Sequence, residues 1–125
     1  MNLFAGGIVR DGRICWENAE VALPARVRGQ VREGQAVTVG ARAEQAQILR
    51  ESGPTGQGLI LRGCVATIEP DFGRGTQLVY AHAGPFFFAA RGPLDASLDV
   101  GDAIAVMYPA DALYLFEENQ RRLPG

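Results

Sequence analysis

The stretch GDAIAVMYPADALYLF, residues 101–116, repeats the layout of GQAVTVGARAEQAQIL, residues 34–49, at a constant offset. Placed in register, Gly34 meets Gly101, Ala36 meets Ala103, Val39 meets Val106 and Ala43 meets Ala110. Val37 is answered by Ile104, Glu44 by Asp111 and Ile48 by Leu115. Each copy holds a glycine, an apolar alternation of period two that reads as a strand, and an acidic bend before a second apolar pair. One structural device used twice is expected, with a glycine turn launching a strand (AVTV, AIAV) and a bend at ARAE or YPAD. Two small barrels built on a similar plan produce such an echo.

The remaining segments read the same way. FAGGIV is a first strand, in which the adjacent Gly6 and Gly7 mark a bulge or sharp bend. Asp11–Gly12 is a two-residue hairpin signal, and RICW is the return strand. EVALPARV continues extended, interrupted by Pro24, and AEQAQIL reads equally as a helical turn or a strand. RESGPTGQG, residues 50–58, has no hydrophobic anchor and reads as a linker. LILRGCVATIEP, LVYAHA, FFFAAR, AIAVMY and ALYLF supply further strands, and EENQRRLPG is a polar tail. About ten short strands separated by frequent turns predict an all-β barrel or sandwich, and the echo favours two small barrels. The expected division is 1–49 as the first half, completed by 105–125, and 59–104 as the second.

Composition bounds the function. A chain of 125 residues buries about two-thirds of its extended surface, enough for a core without disulfides or metal. The 16 Gly and 7 Pro follow no collagen period and so speak for turns. Lys is absent, so all twelve basic residues are Arg, and the formal charge of −2 gives no electrostatic reason to expect nucleic acid as a partner. Cys15 and Cys64 are too few for a disulfide framework and are expected to be reduced thiols. No apolar run approaches the roughly 18–20 residues that span a bilayer, and the opening MNLFAGGIVRDGR lacks a signal layout. A cytoplasmic protein is expected.

The motifs resemble a family. MNLFAGGIVRDG, VALP, GQAVTVGARAEQ, GCVATIEPDFGRGTQLVYAHAG, FFFAAR, GDAIAV and ALYLFEENQRRL occur in the order seen in the C-terminal TOBE-type regulatory domain of ABC importer ATPases of the maltose and glycerol-phosphate type. The pattern falls here on Met1–Phe4, on Gly40, Arg42 and Glu44, on Val65 to Glu69 with Gly73, and on Leu115–Phe116 to Arg122–Leu123. Two departures are Ala43, where the family usually has Pro, and the GRGT turn. The resemblance implies an all-β fold of two small five-stranded barrels of oligonucleotide-binding (OB) type, forming a non-catalytic domain that keeps two ATPase subunits joined, at the inner face of the membrane. The implied partners are its own N-terminal ATPase domain, a second copy, a cytosolic regulator and, indirectly, the membrane subunits. It also implies that Arg42 and Glu44 hold the connection between the halves. ATP and Mg would belong to the ATPase domain. A phosphate loop of that kind ends in Gly-Lys-Ser/Thr, and a chain without Lys has none.

The remaining chemistry-bearing residues carry little. His82, the one histidine, lies in an alternating strand without spacing that suggests a triad, and Cys15, Cys64 and His82 contain no close metal-ligand pair. In PFFFAA, Phe86 and Phe88 share one strand face and Phe87 takes the other. An exposed patch around Phe87, or around Leu113, Leu115 and Phe116, is therefore the expected partner surface. Arg26, Arg28 and Arg32 alternate in a strand-like segment without interleaved aromatics and read as a solvated face. Two alternatives are a small-oxyanion binder of molybdate type, disfavoured by few hydroxyls and the lack of an S-A-R-N start, and an OB-type nucleic-acid binder.

Overall fold

The computed structural model describes residues 1–49, 58–94, 97–117 and 123. Among the described residues the period-two segments form ten strands: β1 (Asn2–Arg10), β2 (Arg13–Cys15), β3 (Glu20–Ala22), β4 (Ala36–Ala41), β5 (Gln47–Leu49), β6 (Gly58–Asp71), β7 (Thr76–Ala83), β8 (Phe86–Pro93), β9 (Ala103–Pro109) and β10 (Tyr114–Glu117). They build two five-stranded sheets, ordered β10-β4-β1-β2-β3 and β5-β9-β6-β7-β8. The all-β class of about ten short strands read from the sequence is the class of the structure, which arranges them as two sheets.

The two orders have one plan. In each sheet a long first strand (β1, β6) pairs with the second (β2, β7) and the fourth (β4, β9), and the second pairs with the third. The fifth strand comes from the other half. β4 passes through a three-residue 3-10 turn, Ala43–Gln45, into β5, which pairs with β9. β9 passes through the matching turn, Ala110–Ala112, into β10, which returns to pair with β4. The repeated stretch is this crossover, made twice. Both turns start from an extended residue, Arg42 (ψ 138°) or Pro109 (ψ 139°). Each closes with a backbone bond, Ala46 N–H to the Ala43 carbonyl at 3.3 Å and Leu113 N–H to the Ala110 carbonyl at 3.2 Å.

The sheets therefore divide the chain differently from the expected halves. Residues 47–49 and 105–109 lie in the second sheet, and among the described residues it is 114–117 that extends the first. The 3-10 turns carry the chain from one sheet to the other before its fifth strand begins. Within the expected linker, residues 50–57 lie outside the described residues and Gly58 opens β6. The segment ARVRGQ is also not extended, because Ala25–Gln30 winds into 3-10 conformation directly after Pro24 and buries Val27 alone.

The echoed glycines do the same work. Gly34 (φ +83°) and Gly101 (φ +94°) each occupy the left-handed region. Gly34 N–H bonds the Val9 carbonyl at 2.7 Å while Val9 N–H bonds the Gln35 carbonyl at 3.0 Å. In the second half Gly101 N–H bonds the Val65 carbonyl at 2.8 Å and Val65 N–H bonds the Asp102 carbonyl at 2.9 Å. The turn before each fourth strand is thus clamped to the first strand by the same reciprocal pair. β1 also bulges between Phe4 and Gly7, as the adjacent glycines suggest. The Trp16 indole N–H caps the Ala5 carbonyl there at 3.0 Å.

One core serves both sheets. Phe4 of β1 meets Phe86 edge-on at 5.0 Å, and its ring lies 6.0 Å from Tyr108 and 6.5 Å from Phe88. Such aromatic contacts add about 0.5–1.5 kcal/mol each beyond the area they bury. Val9, Ile14, Val37 and Val39 from the first sheet and Leu59, Leu61, Val79 and Val106 from the second complete the cluster.

Gly101→Ala is expected to lower stability by about 1–2 kcal/mol, because the site has room for a methyl group but its backbone angle disfavours any side chain. Gly34→Ala should cost the same within error. Urea titration of both variants checks this, and equal losses would confirm that the two turns are equivalent.

Candidate functional site

The crossovers bring the start of β1, the Ala43–Gln45 turn and the outer faces of β7 and β8 together. Asn2 does the joining. Its side-chain carbonyl accepts the Ala89 N–H at 2.8 Å and its amide donates to the Ala89 carbonyl at 2.8 Å. The side chain thus imitates a neighbouring strand, linking β1 of one sheet to β8 of the other. The Tyr108 hydroxyl donates to the same carbonyl at 2.7 Å and stands 3.2 Å from the Asn2 amide. Burial alone pushes the Tyr108 phenol well above its ordinary value, since a phenolate there would be stripped of water.

The three motif residues carried by the resemblance lie beside this joint. Gly40 is buried in β4 between Leu3 and Tyr114, and a side chain there would press on Met1 and Phe116. Arg42 begins the turn and reaches across to the second crossover. Its Nε points to the Tyr114 hydroxyl at 3.4 Å and its guanidinium lies 5.4 Å from the centre of that ring. The bond to Tyr114, followed by the charge of that hydroxyl and of Glu44, raises the guanidinium above its ordinary value. Glu44 is exposed and forms no ion pair with Arg42 among the described residues. Arg42 therefore ties one crossover to the other through Tyr114. Arg26 reinforces the second crossover by donating to the carbonyls of Asp111 (3.0 Å) and Leu113. Sequence reading, which assigned Arg26 to a solvated stripe, has no local signal for partners so distant along the chain.

A cleft of about 340 Å³ opens beside the joint, lined by Asn2, Arg42, Glu44, Tyr80 and Arg91 among others. Arg91 is only partly exposed. Its one hydrogen bond among the described residues runs from Nη1 to the Thr76 hydroxyl at 3.1 Å, and its buried Nε–H has no acceptor. An unpaired buried donor of this kind costs about 1–3 kcal/mol. That Arg42 and Arg91 line one cleft is invisible in the sequence, where nearly two-fifths of the chain's 125 residues separate them.

The residues expected at a partner surface differ in exposure. Phe87 is 53% exposed, stacked on Tyr80 at 5.9 Å and in contact with His82 at 4.6 Å, while Phe86 and Phe88 point inward. Phe116 is half-buried over Gly40, next to exposed Leu3 and Met1. Leu113 and Leu115 are withdrawn from the surface, at 0% and 1% exposure. Leu113 closes the Ala110–Ala112 turn and Leu115 lies in β10 on the first sheet, both with their side chains in the shared core, so neither is available to a partner. Cys64 is exposed and Cys15 half-exposed, and both are free. Among the described residues no group of three metal-ligating side chains converges, and no helix is long and apolar enough to cross a membrane.

Two OB-type sheets that exchange their fifth strands through paired turns define a TOBE-like β domain. Among solved structures the chain is similar to the cytoplasmic molybdate-binding protein ModG, determined with molybdate bound. The TM-score is 0.74 over 91% of this chain and 94% of that one, at 18% sequence identity. At that identity the likeness is one of fold. No protein-family profile matches the chain, and no curated protein sequence matches it.

Because the Tyr108 phenol is held above its unfolded value, folding favours its protonated form. Its contribution is complete below about pH 10. It should decline above that as the unfolded chain ionises first, by up to about 1.4 kcal/mol per pH unit. Denaturation at pH 9 and pH 11 should show this loss, and Tyr108→Phe should reduce it. Asn2→Ala should cost about 1–3 kcal/mol, since it strands the Ala89 N–H and leaves the Ala89 carbonyl to Tyr108 alone.

Proposed function

We propose that this chain is the C-terminal regulatory and dimerisation domain of the ATP-binding subunit of an ABC importer, one that takes up sugars, polyols or glycerol phosphate. What supports the reading is where the motif residues fall. Met1–Phe4, Gly40, Arg42, Glu44 and Leu115–Phe116 gather around the joint between the two sheets, although they are scattered over the chain. A domain cross-tied in this way suits a mechanical role. Its work is to hold two ATPase subunits together while they open and close on ATP, so that re-forming the nucleotide sandwich is an intramolecular event at high effective concentration. Exposed Phe87 and half-buried Phe116 are the surface residues offered to the second copy or to a cytosolic regulator. The domain performs no chemistry itself. ATP and Mg belong to the ATPase domain, and the assembly sits at the inner face of the membrane through the membrane subunits.

A second reading has one observation in its favour: the likeness in fold to a molybdate-binding protein, in a chain with two arginines lining one cleft. In that reading the domain is a receptor for a small oxyanion.

The coding frame immediately upstream of Met1 tests the first reading, which expects a phosphate loop and an ABC signature motif in the same frame. Calorimetry with molybdate, tungstate and sulfate tests the second. The importer reading expects no affinity tighter than roughly 1 mM, and micromolar binding of any of the three would favour the oxyanion receptor.

A further inference from the structure

The cleft beside the crossover joint has a composition that selects a ligand. Two guanidinium groups line it, Arg42 from the Ala43–Gln45 turn and Arg91 from β8, with Glu44 as the only carboxylate among its lining residues. Neither arginine forms an ion pair among the described residues. The lining is therefore positive on a chain whose formal charge is −2, which marks it out as a local attractor for anions. Arg42 is held in place at one edge by the Tyr114 hydroxyl and ring, leaving its other nitrogens without protein partners among the described residues. Arg91 donates to Thr76 alone and retains an unpaired Nε–H. Asn2, by contrast, is fully engaged with Ala89 and Tyr108, so it forms rigid wall and leaves recognition to its neighbours.

Size and polarity narrow the class. A volume of about 340 Å³ equals roughly ten waters at their liquid volume of about 30 Å³ each. It also falls at the lower end of the range for organic ligand sites. A bare tetrahedral oxyanion leaves most of it empty. Glu44 adds a hydrogen-bonding group suited to ligand hydroxyls, while the Tyr80 hydroxyl donates to Glu69 at 3.5 Å and keeps only its acceptor side for a ligand, and Leu78 and the Tyr80 ring supply apolar wall. We infer that this cleft binds a small phosphate monoester on a hydroxylated carbon frame, with the phosphate between Arg42 and Arg91 and a ligand hydroxyl on Glu44. Arginine suits this role because its planar donor edge matches phosphate oxygens two at a time. Binding stands on the cleft alone. That it regulates transport rests on the importer reading, whose own failure would be seen in the upstream coding frame.

The test is calorimetry on the whole chain with glycerol 3-phosphate and glucose 6-phosphate, against inorganic phosphate, molybdate and glycerol. At least one ester should bind with a Kd below roughly 1 mM. It should bind at least about tenfold tighter than any of the three controls, reflecting contacts to both ends of the ligand. Arg91→Gln should weaken ester binding at least about tenfold, the loss expected on removing a charged donor. Arg42→Gln should do the same while the folded circular-dichroism spectrum is kept, the melt falling only by what the lost Tyr114 contact contributes. Glu44→Gln should weaken the ester and leave inorganic phosphate unaffected. Absence of ester binding at that level, or binding that survives both arginine substitutions, would overturn the proposal. So would inorganic phosphate or molybdate binding as tightly as the esters, and that result would mark a bare-oxyanion site instead.

Discussion

The exchange of fifth strands is the constraint from which the rest of the architecture follows. β10 completes hydrogen bonding along β4, and β5 does the same for β9. Each sheet thus lacks an outer strand unless the other half supplies it. Backbone groups on a buried or half-buried strand edge need partners, and here they are found only across the molecular midline. Two short turns make this possible, because three residues in 3-10 conformation redirect the chain at little cost in length. The common core is the counterpart of that exchange. Phe4 packs among Phe86, Phe88 and Tyr108 because the crossed strands bring the two sheets face to face.

Side-chain bonds then stiffen the crossing points. Asn2 satisfies both polar groups of Ala89 as a strand would, Arg42 reaches Tyr114, and Arg26 holds the carbonyls of Asp111 and Leu113. None of these contacts joins residues close in sequence. They connect segments of one half to segments of the other, and two of the residues that make them, Asn2 and Arg42, line the cleft that carries the unpaired arginine donor. The same geometry that closes the fold therefore shapes that cleft.

Much of the fold was legible because it is written locally. The repeat at 34–49 and 101–116, the Asp11–Gly12 hairpin and the Gly6 bulge each follow from backbone preferences that act over a few residues. The alternation in Phe86–Phe88 correctly assigned inside and outside. Failures came where a neighbour distant in sequence decides the outcome. ARVRGQ alternates like a strand, yet no open edge receives it, and after Pro24 it coils instead. Leu113 and Leu115 were offered as surface residues, but the close of the second crossover turn buries Leu113 and pairing of β10 with β4 turns Leu115 into the core. The destination of each crossover is a property of the assembled sheets, so an offset in sequence reveals the repeat without revealing the swap. Of the candidate site, Gly40, Arg42 and Glu44 were found through family resemblance and Arg91 was not found at all. Its significance depends on an acceptor that is missing from its surroundings, a fact no linear pattern encodes.

The strand exchange also sets an order on biosynthesis. As the polypeptide leaves the ribosome, β5 is already outside when β6 to β9 appear, so the second sheet acquires its full set of strands the moment β9 emerges. The first sheet has no such advantage. It is made earlier but waits for β10, which is translated after β9, and until then the outer edge of β4 is bare. A bare edge in a nascent protein is a template for stray strands from neighbouring molecules. The older half of this molecule is therefore the one in longer need of protection.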